Sequence, residues 1–270
     1  MLKACRSLQI LALLLFVCIA EGCGHTPSNA TIDTPTVIRI SAAASTKDVL
    51  EAIASDFDRR EGTAAKINPG PSSGLASQIL EGAPVDLFLS AHREFAEQIE
   101  TAGLAAESVE LLTNRLVLIA PKGNPAGVRA PEDLLSPSVK KIAVAGENVP
   151  AGKYGDQALK KLNLFDALHE SGKFARAHDV RSALLFVERG EAEAGVVYAF
   201  DAQHADVEII HEFAPSLHGE IVYVLVLLKH GEATPRARKL YEHLQSPAAE
   251  AVWNAAGFQV IRKNERAAGE

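Results

Sequence analysis

From residue 37 to residue 255 the chain alternates short apolar runs with longer stretches whose apolar positions recur every three or four residues. Val37–Ile40 reads as a strand. The stretch 46–60 that follows puts Val49, Leu50, Ile53 and Phe57 on one face, the stripe of a core-facing helix. The change of period repeats, with a strand at 64–67, a helix marked by Leu75, Ile79 and Leu80, a strand at 85–89 and a helix at 93–102. Two runs, 116–120 and 221–228, are apolar from end to end, the pattern of strands covered on both faces. Between them strands are expected at 142–145 and 195–198 and helices at 154–162 and 180–189. Helices at 235–244 and 248–255 close the pattern.

This alternation predicts an α/β fold of largely parallel sheets covered by helices. The two apolar runs bracket a middle block of about one hundred residues. The simplest organisation is two lobes, 36–116 plus 222–270 and 117–221, with the chain leaving the first at one run and returning at the other.

Upstream the pattern is of another kind. Lys3 and Arg6 precede an unbroken apolar run from Ile10 to Ala20 and the small residues of Ala20-Glu21-Gly22, so residues 1–22 are expected to be a cleaved export signal. The run is short for a permanent membrane helix. Cys23 stands where a bacterial lipoprotein carries its acyl anchor, with Ala20 three places before it instead of the usual leucine. A lipid-anchored and a freely soluble mature chain both stay open. Residues 23–35, rich in Thr, Ser, Asn and Pro, read as a flexible tether.

Cys5, Cys18 and Cys23 are the only cysteines, which leaves the mature domain no internal disulfide and no thiol nucleophile. Losing residues 1–22 removes Lys3, Arg6 and Glu21 and takes the formal charge from -7 to -8. An acidic chain without basic clusters is a poor partner for nucleic acid. Any anionic ligand would have to be held by local dipoles, not by the protein's overall field.

Four polar or Gly-containing turns occur where a strand gives way to a helix or loop. In open parallel sheets ligands bind at that edge, where helix N-termini aim free N–H groups at the same space. The first turn is Ser41-Ala42-Ala43-Ala44-Ser45-Thr46-Lys47-Asp48, in which Ser45 is expected to cap the next helix and Asp48 to reach back. The second is Gly70-Pro71-Ser72-Ser73-Gly74, a donor-rich nest for an anion. The third is Gly146-Glu147-Asn148-Val149-Pro150-Ala151-Gly152, where Pro150 opens a helix and small residues leave N–H groups uncovered. The fourth joins His178-Asp179-Val180-Arg181, with Asp179 as a cap, to Val197-Tyr198 at the end of a strand.

Such a site offers hydroxyl and amide donors and almost no obligatory acceptor, which suits a dianion that is fully deprotonated at neutral pH, such as molybdate, tungstate or sulfate. Phosphate keeps a proton and would need an acceptor, for which a loop carboxylate such as Glu147 could turn inward. Gly70-x-Ser72-x-Gly74 also matches the nucleophile elbow of serine hydrolases. Against that reading, no oxyanion segment precedes it and Pro71 would occupy the strained elbow position.

Six segments, in order, resemble the periplasmic molybdate-binding proteins of ABC uptake systems over nearly all of 37–262. They are Ala42-Ala43-Ala44-Ser45, Ser72-Ser73-Gly74-Leu75-Ala76, Glu81 through Ala91, Val149-Pro150-Ala151-Gly152-Lys153-Tyr154, Asp179-Val180-Arg181 and Gly195-Val196-Val197-Tyr198. Ala256-Gly257-Phe258 fits as well. The resemblance implies a type II periplasmic-binding-protein fold, with two lobes joined by a two-strand hinge and closing on the ion. It implies oxyanion binding by Ser45 and Ser72 through hydroxyl and backbone N–H, by Ala151 and Val180 through backbone N–H, and by Tyr198 through its phenol. It further implies no catalysis and no cofactor, molybdate or tungstate being cargo with no direct protein–metal ligand. The implied partners are an ABC importer permease and its ATPase, and the implied setting is periplasmic or extracytoplasmic, with a monomeric chain touching the membrane only through an anchor at Cys23. The remaining features read plainly: His204, His211 and His218 as surface histidines, Asp86 as structural, Glu188 and Arg189 as solvated.

Overall fold

A computed structural model describes residues 36–261; the expected export signal (1–22) and tether (23–35) lie outside the described residues. The chain runs through β1 (Thr36–Ala43), α1 (Lys47–Glu61), β2 (Thr63–Gly70), α2 (Ser72–Leu80), β3 (Leu87–Ser90), α3 (Arg93–Thr101) and β4 (Ala105–Asn114). It continues through β5 (Leu116–Pro121), β6 (Ile142–Ala145), α4 (Pro150–Lys161), α5 (Phe165–Glu170), β7 (Phe174–Ala177), α6 (Val180–Glu188), β8 (Ala194–Tyr198), α7 (Ala199–Gln203) and β9 (Val207–Phe213). It closes with α8 (Pro215–His218), β10 (Ile221–Leu228), α9 (Lys229–Glu232), α10 (Pro235–His243), α11 (Pro247–Ala255) and β11 (Gln259–Val260). A single 3-10 turn, Ala44–Thr46, leads from β1 into α1.

The strands form two sheets, in the orders β11-β4-β10-β3-β1-β2 and β7-β6-β8-β5-β9. The chain passes from the first sheet to the second between Asn114 and Leu116, and returns between Phe213 and Ile221. Both sheets are mixed. Each contains three neighbouring parallel strands, β3-β1-β2 and β7-β6-β8. The expectation of largely parallel pairing holds for these trios and gives way at the crossing strands. β10 pairs antiparallel with β3 and β4, and β5 with β8 and β9.

β4, β7 and β9 answer to no strand expected from the pattern. Their burial alternates weakly, since β7 and β9 lie at the ends of the second sheet, where one edge is unpaired. The helical stripe of α1 behaves as its spacing predicts: Val49, Leu50, Ile53 and Phe57 are all buried against the first sheet. β5 and β10 are buried at every position, as end-to-end apolar runs should be. Among the described residues no helix is long and apolar enough to cross a membrane.

Candidate functional site

The three parallel strands of each sheet end at one small cavity. Ser45 lies in the 3-10 turn after β1, Ser72 at the first position of α2 after β2, and Ala91 just past β3; Ala151 is the second residue of α4 after β6, Val180 begins α6 after β7, and Tyr198 ends β8. All six line the cavity, together with Gly70, Pro71, Val149, Pro150 and Asp179. The five residues singled out from the sequence, Ser45, Ser72, Ala151, Val180 and Tyr198, are thus brought to one place. The room left, about 10 Å³ for the centre of a water-sized body, makes this a small cavity.

The helices that point here keep their first-turn N–H groups available. α2 starts from Pro71 and α4 from Val149, neither with a side-chain cap, and the first intrahelical bonds belong to Leu75 and Lys153. The N–H groups of Ser72, Ser73, Gly74, Ala151 and Gly152 precede those bonds and have no intrahelical acceptor. α6 is capped, as expected, by Asp179, whose carboxylate accepts from Ser182 N–H at 2.8 Å; Val180 and Arg181 stay uncapped. A close approach makes the α4 start possible: a Cβ on Gly152 would sit 2.1 Å from the Gly146 carbonyl oxygen.

The expected cap at Ser45 does not form. Thr46 is the cap position of α1 and its hydroxyl donates back to Ala43 O at 2.8 Å, while Asp48 turns away to Arg181. The intervening 3-10 turn swings Ser45 towards the cavity side, where its Oγ lies 2.9 Å from the Tyr223 hydroxyl. Ser72 Oγ accepts from Ala91 N–H at 3.0 Å, which leaves the Ser72 proton to be donated elsewhere. Tyr198 is 1 % exposed, and its hydroxyl is a buried polar atom without a hydrogen-bond partner. Burial pushes its ionisation well above the ordinary tyrosine value, so it stays a neutral donor.

No lysine or arginine lines the cavity, and its one carboxylate, Asp179, is engaged in capping. Glu147 is exposed and pairs with Arg176 at 3.6 Å, so it does not turn inward. Charges gather instead around the rim. Arg181 on α6 reaches Asp48 on α1 at 2.6 Å and Ser45 O at 3.3 Å, and on its other side forms an ion pair with buried Asp201 at 3.4 Å that lacks hydrogen-bond alignment. Lys153 on α4 pairs with Glu94 on α3. What the cavity presents is mostly neutral donors, with Asp179 its one charged lining residue and the ion pairs on the neighbouring elements outside the lining.

Residues 38–259 match the family of bacterial extracellular solute-binding proteins. The chain belongs to that family.

Among relatives of this solute-binding protein is a Bacillus subtilis protein named as an ABC transporter substrate-binding lipoprotein, 36 % identical over 93 % of this chain and 97 % of the relative. The molybdate-binding protein ModA of Haemophilus influenzae is 35 % identical over 82 % of this chain and 89 % of its own. In structure it resembles the periplasmic molybdate-binding protein of Azotobacter vinelandii with a TM-score of 0.74 and 25 % identity, over 83 % of this chain and all of the other. The type II periplasmic-binding-protein fold stands, and the solute-binding protein is not an enzyme. Ser72, the alternative nucleophile, hydrogen bonds to a backbone N–H, with no histidine or carboxylate as its partner among the described residues.

The plain readings elsewhere need one correction. Asp86 is structural, clamped by Arg39 N–H at 2.7 Å and His230 at 2.9 Å. His204 is exposed, but His218 is buried, edge-on to the Tyr154 ring and bonded to Phe213 O at 3.3 Å. No cluster of metal-ligating side chains occurs among the described residues. Sequence reasoning passed over Tyr223 and Asn114. Tyr223 sits in an apolar strand where its ring reads as core, and only the fold brings it to Ser45.

Proposed function

We propose that this solute-binding protein captures molybdate or tungstate in the cavity between its two sheets and hands it to the permease and ATPase of an ABC importer. The single observation that carries the reading is the lining itself: hydroxyl and amide donors, a buried tyrosine hydroxyl with no partner, and no cationic side chain. A buried donor left unpaired costs about 1–3 kcal/mol, and a proton-free dianion supplies acceptors for all of them at once. Ser45, Ser72 and Tyr198 donate through hydroxyls; Ala151 and Val180 donate through backbone N–H. The molybdate-binding relatives support this choice of ion.

The two sheets serve as lobes, 36–116 plus 222–270 and 117–221, that close by bending where the chain crosses between them. The ion is cargo, so no cofactor is involved. The lipoprotein name of the Bacillus relative supports an acyl anchor at Cys23, which would hold a monomer at the outer face of the membrane.

Calorimetric titration of the exported protein with molybdate and tungstate, beside a large excess of sulfate, tests the reading. Tight binding of both metal oxyanions that sulfate fails to displace is expected. Absence of heat and of thermal stabilisation with both would end it.

A further inference from the structure

We infer that Asn114 and Tyr223, neither of which lines the cavity, set its selectivity by fixing the direction of the Ser45 proton. This rests on the oxyanion reading above. The carboxamide of Asn114 has one permitted orientation: its oxygen accepts from Arg115 N–H at 2.8 Å, so its nitrogen faces the Tyr223 hydroxyl at 3.2 Å. A carboxamide nitrogen only donates. Tyr223 oxygen therefore receives a hydrogen bond from Asn114, and since Ser45 Oγ, 2.9 Å away, is the remaining hydrogen-bond partner of that hydroxyl among the described residues, the Tyr223 proton is satisfied only by pointing there. Ser45 Oγ is thereby an acceptor towards Tyr223, and the Ser45 proton is the one group left for the cavity, which Ser45 lines.

The chain of donors runs one way, from amide to phenol to serine to ligand. Ser45 and Tyr223 are buried and Asn114 is half-buried, so the phenol–serine link is shielded from water. Burial pushes the Tyr223 phenol far above its ordinary ionisation, which keeps its proton in place. A ligand that carries a proton can still turn a bare oxygen to Ser45, but with the Ser45 lone pair engaged by Tyr223 its own proton finds one acceptor fewer, and a buried proton without an acceptor weakens its binding relative to a proton-free dianion. Asn114 is also the last residue of β4, one residue from the point where the chain crosses to the second sheet. The groups that orient the Ser45 proton are thus tied to the crossing itself.

Asn114→Asp removes the donor. The Tyr223 proton then turns to the new carboxylate, the Ser45 proton turns to Tyr223, and Ser45 offers its lone pair to the cavity. The test is calorimetric titration of the exported wild-type protein, Asn114→Asp and Tyr223→Phe with molybdate and with inorganic phosphate, near pH 6 and near pH 8. In Asn114→Asp the preference for molybdate over phosphate is expected to shrink at least about tenfold, with phosphate bound better at the lower pH, where it carries more protons. In Tyr223→Phe, which frees the serine hydroxyl to rotate without adding a charge, the preference shrinks by a smaller factor. That variant carries the test if Asn114→Asp shows no cooperative melt. Wild-type binding of molybdate with an unchanged molybdate-to-phosphate ratio in the folded variants, whatever their overall affinity, overturns the inference. Wild-type protein that binds neither ion overturns the oxyanion reading and this inference with it.

Discussion

The two walls of the cavity are built from the same plan and finished differently. Each is the carboxyl edge of three parallel strands. The wall from the first sheet presents serine hydroxyls whose lone pairs are already engaged by the scaffold, Ser45 by Tyr223 and Ser72 by Ala91 N–H. The wall from the second sheet presents the bare helix starts at Ala151 and Val180 and the unpartnered Tyr198 hydroxyl. The scaffold engages a lone pair of each serine before anything binds, whereas the Tyr198 hydroxyl has no partner, and uncapped N–H groups stay available on both walls. The rim ion pairs Arg181–Asp48 and Lys153–Glu94 join elements of the two walls. Half-exposed pairs of this kind are worth about 0–1 kcal/mol each, so they align the walls more than they hold them together.

Substitutions at each wall can break this contrast. The largest effect is expected at Gly152, where an added Cβ meets the Gly146 oxygen at 2.1 Å and the start of α4 has to move. Gly152→Ala should abolish detectable molybdate binding and cost roughly 1–3 kcal/mol of stability, read as a melting temperature lower by about 2–4 °C per kcal/mol. Ser72→Ala comes next. It deletes a ligand donor and strands the buried Ala91 N–H, so affinity should fall about 10–100-fold while the unliganded protein loses about 1–3 kcal/mol.

Tyr198→Phe should weaken binding about tenfold and leave the unliganded melting temperature unchanged or raised, because the hydroxyl it removes has no partner to lose. Calorimetry paired with melts of the unliganded proteins separates the two serine and tyrosine outcomes. Equal unliganded destabilisation by Ser72→Ala and Tyr198→Phe would erase the distinction between the walls.

The last effect concerns pH and leaves the cavity lining untouched. Burial pushes the Asp201 carboxyl from 3.8 up to about 7, with Arg181 opposing only in part. The folded value lies above the unfolded one, so the associated stability is full below about pH 4 and is lost as pH rises through about 7. Asp201→Asn should flatten the melting profile between those limits, and an unchanged slope would remove Asp201 as its source.

Much of this was legible in the chain because its signals are local. A strand followed by a turn of small or hydroxyl residues and then an amphipathic stripe marks a helix start at a sheet edge, and that logic found the four turns, within which the family resemblance pointed to Ser45, Ser72, Ala151, Val180 and Tyr198, all of which line one cavity. It misjudged Ser45 as a cap because the 3-10 turn of Ala44–Thr46 depends on the packing of small alanines and leaves no periodic trace. It missed β9 and β7 because sheet-end strands need no clean alternation. Asn114 and Tyr223 were out of reach for a different reason. Tyr223 is 178 residues from Ser45, and a hydroxyl in an apolar strand looks the same whether it serves the core or a serine across the molecule.

The absence of a lysine or arginine among the cavity residues also bears on how the cargo leaves. A grip that relied on a full positive charge would have to be neutralised or outcompeted before it let go. On the oxyanion reading proposed above, the attraction would be shared among many weak contacts split between the two walls, so parting the walls would free the ion without any single strong bond having to break.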